Sequence, residues 1–193
     1  MKKEIFDAFL KMHSDTVSKI AEHASMVHDE ICNQKYDDKP YSYHLGKVAD
    51  CAIKYGYLVC ECEEHIIPII FGAWFHDAIE DARMTYNDIL KVSKRFMNDE
   101  QSLIATEIVY ALTDEKGRTR KERGSEKHYE DIRNTLYAPF VKWCDRMENL
   151  LYSVEVDSRM ADVYAKEQDY FFEQLGGYKY VPKEAWDYMP LAA

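Results

Sequence analysis

The feature that most constrains this chain is how few residues in it would stop a helix. Seven glycines and five prolines are spread through 193 residues, and apolar residues recur three and four apart in most windows, the mark of amphipathic helix rather than alternating strand. The sequence therefore predicts an all-α bundle of about eight to ten helices with no convincing strand pair. Residues 3–33 carry Ile5, Phe6, Phe9, Leu10, Val17, Ile20, Ala21, Ala24 and Val27 on the apolar stripe of one or two helices. The loop NQKYDDKPY follows, then helices over about 43–55 and 63–81, with Pro68 in the first turn of the second or bending it. Thr85 ahead of Asp88 marks a helix start, and Asn98 ahead of Gln101 a capping box. A basic stretch from Asp114 to about Gly124 leads into a further helix, and Pro139 suits the first turn of one running through FVKWCDRMENLLYSVEV. A last helix is expected over about 158–175, ended by Gly176-Gly177, with the aromatic tail YKYVPKEAWDYMP packed back on the bundle.

With 47% hydrophobic and 31% charged residues, a chain of this length suits one domain over residues 1–193. No run approaches the ~18 apolar residues of a membrane span. The opening MKKEIFDAFLKMHSD is interrupted by Asp7 and Lys11, unlike a signal peptide. A cytoplasmic protein without a membrane partner is expected. Five irregularly spaced cysteines fit reduced thiols better than a disulfide framework, and Cys60-Glu61-Cys62 lacks the second thiol pair that would complete a four-ligand site. A net charge of −10 argues against a nonspecific nucleic-acid binder, which needs a broad basic surface. A small anionic substrate stays open, because Lys116, Arg118, Arg120, Lys121, Arg123 and Lys127 concentrate positive charge in one segment.

Trp74-Phe75-His76-Asp77-Ala78-Ile79-Glu80-Asp81 places four ionisable groups directly after an apolar run. On a helix, at about 100° per residue, His76, Asp77, Glu80 and Asp81 fall within roughly 140° of arc, opposite Phe71, Trp74, Phe75, Ala78 and Ile79. Three carboxylates crowded beside a core repel one another, and a divalent cation would remove that penalty. Taken alone, the segment is equally a solvated acidic helix end. Around Asp145, Lys142, Asp145, Arg146 and Asn149 share a face of about 100° against Trp143, Cys144, Met147, Leu150 and Leu151. This run reads either as an intrahelical charge network or as a half-buried Asp. His44 opens a helix with Val48 and Ala52 behind it, and a lone histidine there is usually structural.

Together, Pro40-Tyr41-Ser42-Tyr43-His44, His76-Asp77-Ala78-Ile79-Glu80-Asp81 and Lys142-Trp143-Cys144-Asp145-Arg146-Met147-Glu148-Asn149 resemble the HD superfamily of metal-dependent phosphohydrolases. Within it they are most similar to the RelA/SpoT-type hydrolase domain and its small stand-alone alarmone hydrolases. The similarity spans about residues 33–155. It implies Mn²⁺ held by His44, His76, Asp77 and Asp145, with Glu80 and Asp81 positioning or deprotonating the attacking water. It further implies hydrolysis of the 3′-pyrophosphate of guanosine tetra- or pentaphosphate, a small nucleotide polyphosphate, to pyrophosphate and GDP or GTP. Asn149 and Lys142 would line the nucleoside pocket, and Arg118 or Arg120 would contact phosphate.

The chain departs from the family pattern around the base. Lys35, followed by Tyr36, stands where relatives carry an Arg that stacks on guanine. Leu45 replaces the usual Pro after the first metal His, and Asp37-Asp38 lie where a Gly is common. Lys stacks less well than Arg, whereas Tyr36 offers a flat ring, so base identity stays open between guanine and adenine. The length leaves no room for a synthetase domain, implying hydrolysis only. The alternatives are another HD nucleotide phosphohydrolase, acting on 5′-monophosphates or deoxynucleoside triphosphates, and a nucleotide sensor without turnover.

Overall fold

The computed structural model describes residues 1–114, 118, 119, 122 and 124–188. The fold is all-α: 71% of it is helical, in eleven α-helices among the described residues. These are α1 Lys3–Met12, α2 Ser14–Ser25, α3 Ser42–Tyr55, α4 Ile66–Phe75, α5 Tyr86–Ser93, α6 Asp99–Leu112, α7 Glu126–Asn134, α8 Ala138–Glu155, α9 Met160–Lys166, α10 Gln168–Gln174 and α11 Lys183–Trp186. None is long and apolar enough to cross a membrane. All five cysteines are free thiols.

The bundle is built around α4. Nine of its ten residues are buried, all but Trp74, as expected for a helix hydrophobic on every side. It packs against α2, α3, α6 and α8 and feeds two clusters. Ile66, Ile69, Ile70 and Ala73 face the larger one, with Val48, Ala52, Phe140, Trp143 and Met147. Ile67, Phe71 and Phe75 join Ile20, Leu45, Ile89 and Val109 in the other. A Cβ on Gly72 would stand 2.6 Å from Ile108 Cγ2, so this glycine sets how closely α4 and α6 approach.

Both helix-start signals operate: Thr85–Asp88 and Asn98–Gln101 each form a reciprocal capping box. Pro68 falls in the first turn of α4 and Pro139 in that of α8. Gly176 and Gly177 end α10 with positive φ angles of 85° and 58°, conformations that glycine adopts without steric penalty. The tail packs back through Val181, Ala185 and Trp186.

Three expectations need correction. The loop before α3 contains an antiparallel pair, β1 Lys35–Tyr36 with β2 Lys39–Pro40; two-residue strands are too short to leave an alternating pattern. Asp37 occupies its turn at φ 58°, a left-handed conformation that Asp tolerates better than most residues. The helix expected over 158–175 is two, broken at Glu167, so with α11 the count exceeds ten. Finally, α4 stops at Phe75, and His76–Asp81 form successive turns. His76 Nδ1 donates to Ala73 O at 2.8 Å, occupying the carbonyl that Asp77 N–H would use in a continuing helix.

Candidate metal centre

Three elements distant in sequence bring their polar ends to one point. His44 is the third residue of α3, whose first amide, on Ser42, donates to Asp29 Oδ1 at 3.0 Å, satisfying one open N–H of the helix start. His76 and Asp77 leave the C-terminal end of α4. Asp145 lies mid-way along α8, where Trp143, Cys144, Met147 and Leu150 are buried on the opposite side. Lys142, Asp145, Arg146 and Asn149 share the polar face that the wheel predicts, all four lining one cleft, and Arg146 is further secured there. It is buried, sits 4.6 Å from the Tyr164 ring centre and 4.4 Å from that of Phe171, and donates to Glu167 Oε2 at 3.2 Å.

His44 Nε2 and His76 Nε2 face each other at 3.3 Å. Asp145 Oδ1 is 3.3 Å from the first and 3.6 Å from the second. Asp77 Oδ2 is 3.0 Å from His76 Nε2 and 3.8 Å from His44 Nε2. Donor atoms of His44, His76 and Asp145 all lie within 4.8 Å of one another. With Nδ1 of His76 donating to a carbonyl, Nε2 is the ring nitrogen left to bind, the arrangement in which histidines ligate metals. Although burial works against charge on His76, Asp77 and Asp145 raise the imidazole well above its usual range, and the same donors could hold a divalent cation in place of that proton. A mixed imidazole and carboxylate set of this kind is compatible with several divalent metals. Burial opposes charge here, yet the His76 imidazole holds Asp77 down at about 2. Hydrogen bonds from His44 and His76 likewise keep Asp145 well below its usual range.

A polar layer surrounds the donors. Tyr41 OH lies 2.7 Å from both Asp77 Oδ2 and Asp81 Oδ2. Asn149 Nδ2 donates to Asp145 Oδ1 at 2.5 Å, and its Oδ1 accepts from Tyr36 OH at 2.8 Å. The Asn149 amide therefore holds a candidate ligand while its residue also lines the neighbouring cleft. Tyr36 has one ring face covered by His44, at 4.6 Å and 8°. Burial pushes both tyrosine phenols well above their usual range, which keeps them protonated donors. Lys142 Nζ stands 3.5 Å from Asp145 Oδ2. Glu80 turns away from Asp81 and accepts the backbone N–H of Asp114. Glu80 is exposed at the surface, yet partial desolvation and the charges of Asp114 and Asp77 push its carboxyl up, to about 7.

Lys35 is exposed on the hairpin. Arg118 is exposed, its backbone N–H donating to Glu122 Oε2 at 2.7 Å; Arg120 lies outside the described residues. A cleft of about 660 Å³ opens beside Asp145, walled by Lys142, Asn149, Tyr129, Tyr164 and Tyr170, with Thr119 from the basic segment. Sequence reasoning gave no role to Tyr164 and Tyr170, which reach the cleft only through the chain reversal after α8. For Tyr41 the available signal is its place three residues before His44. The chain matches no protein-family model, no curated protein and no solved structure.

Proposed function

We propose that this chain is a metal-dependent phosphohydrolase of the HD type that removes the 3′-pyrophosphate of (p)ppGpp-type nucleotides. The observation that carries the reading is the convergence of His44, His76 and Asp145, with Asp77 alongside, from three separate elements onto one buried point. Packing alone gives no reason to face four ionisable groups there. A divalent cation held by these donors would polarise a phosphoryl oxygen and acidify a water.

The remaining chemistry falls to the chain. Glu80, with a carboxyl pushed up to about 7, would take a proton from the attacking water at neutral pH once released from the Asp114 N–H that it accepts. The water oxygen bonds to the 3′-phosphorus, the P–O3′ bond breaks, and the departing ribose oxygen gains a proton as pyrophosphate is released. Lys142, kept protonated by Asp145 although burial works against it, places positive charge at the cleft mouth where a polyphosphate would lie. A second reading, an HD phosphohydrolase for another nucleotide, is favoured by Tyr36. One face of its ring is covered by His44, and Lys35 stacks less well than the Arg that relatives carry at that place.

The test is pyrophosphate release from ppGpp and ppApp by the purified chain with Mn²⁺, with products resolved by anion exchange. Release is expected with wild type and lost with EDTA, His76→Ala or Asp145→Ala, the two substitutions also lowering retained metal. Release that persists in both variants would sink the assignment; 5′-nucleotide hydrolysis instead would select the second reading.

A further inference from the structure

Asp81 is exposed on a turn beyond the end of α4, a setting in which a side chain samples several rotamers. It is nevertheless tethered, at 2.7 Å from the Tyr41 phenol. The same phenol lies 2.7 Å from Asp77 Oδ2, the oxygen that approaches His76 Nε2 to 3.0 Å. Tyr41 is held from several sides. His28 stacks on its ring at 5.2 Å and 8°, while Tyr36 and His44 meet it edge-on at 6.2 and 5.9 Å. His28 is fully buried, belongs to the π-turn Met26–Ile31 that prolongs α2, and is braced by Gln34 Oε1 at 2.7 Å. Such π-turns are often retained at functional sites. A phenylalanine would fill the same space, so the hydroxyl is the part that packing does not need.

We propose that Tyr41 is a positioning residue whose one phenolic proton, shared between Asp77 and Asp81, holds Asp77 toward the cation and keeps the exposed Asp81 beside it, the ring seated on His28 for that purpose. The inference rests on the reading of this cluster as a metal centre. It assigns Asp81 a place beside Asp77, separate from Glu80, which accepts the backbone N–H of Asp114.

The experiment is a double-mutant cycle of Tyr41→Phe and Asp81→Asn on the full chain. Mn²⁺ affinity is read from the free-ion signal in electron paramagnetic resonance, and kcat and KM with ppGpp as probe. Tyr41→Phe is expected to weaken Mn²⁺ binding by about tenfold or more at unchanged stoichiometry and unchanged apo Tm. It should lower kcat more than it raises KM, and the double variant should be no worse in kcat than the poorer single one. Unchanged Mn²⁺ affinity, kcat losses that multiply, or an apo Tm that falls with the affinity would each overturn the proposal, the last by returning Tyr41 to packing. Mn²⁺ binding without pyrophosphate release would cost the hydrolase reading alone, because the affinity arm still decides the role of Tyr41. No Mn²⁺ binding by wild type would overturn both.

Discussion

At the scale of single residues, the carboxylates around His76 are sorted by surroundings instead of type. Asp77 is held near 2 by the imidazole beside it, whereas Glu80, three residues on, is raised to about 7. One is an anion at every physiological pH and suits ligation; the other changes charge where a general base should. Because the Glu80 shift is upward, its neutral form dominates below about 7 and the basic form is gained above it. kcat/KM should therefore rise through that region, and Glu80→Gln should lower the plateau by about 10²-fold or more and remove the limb. A pH–rate profile in which the glutamine variant keeps the same limb would assign the base elsewhere.

At the scale of elements, the centre depends on where helices begin and end. The His76 bond to Ala73 O frees the following residues from the helix, so Asp81 can reach Tyr41 while Glu80 reaches Asp114. α8 starts from Tyr137 at φ 64°, with its hydroxyl 2.7 Å from His65 Nδ1 and accepting Glu61 N–H at 3.2 Å. That hydroxyl fixes the launch of the helix that presents Asp145. The capping boxes on α5 and α6 are remote from the chemistry and contribute stability alone. Asn98→Ala should cost about 1 kcal/mol, lowering Tm by roughly 2–4 °C in a chain of this size, with kcat untouched. Thermal melts showing no change would mean solvent satisfies the freed amides equally well.

For the molecule as a whole, a cation at the centre would join α3, the end of α4 and α8. A ligand that binds only the folded form stabilises it by about 2.7 kcal/mol at one hundred times its Kd. Mn²⁺ at that excess should raise Tm by roughly 5–10 °C, EDTA should reverse the rise, and Asp145→Ala should abolish it. A melting curve indifferent to Mn²⁺ would show that the donors do not close on an ion. The net charge of −10 gives the same expectation a second basis, since a bound divalent cation relieves repulsion where carboxylates crowd most closely.

What the sequence by itself determined is everything that repeats within a few residues. The helical period, the caps at Thr85 and Asn98, the prolines in first turns and the apolar stripe of α8 depend on neighbours three or four positions away. It names His44, His76, Asp77 and Asp145 as candidate donors only through the family resemblance, since each taken alone also reads as structural. Only the tertiary structure decided the rest. His44 and His76 meet across 32 positions, and Tyr36 and Asn149 across 113; no local period encodes such distances. A wheel drawn through His76–Asp81 groups the right residues for the wrong reason, since a side-chain bond to Ala73 ends the helix before it reaches them. Arg146 shows the same limit: its place on α8 puts it on the polar face, but only the tertiary contacts supply its partners, the rings of Tyr164 and Phe171 and the Glu167 carboxylate. Local interactions choose the helices, and long-range packing chooses which of their polar groups face one another.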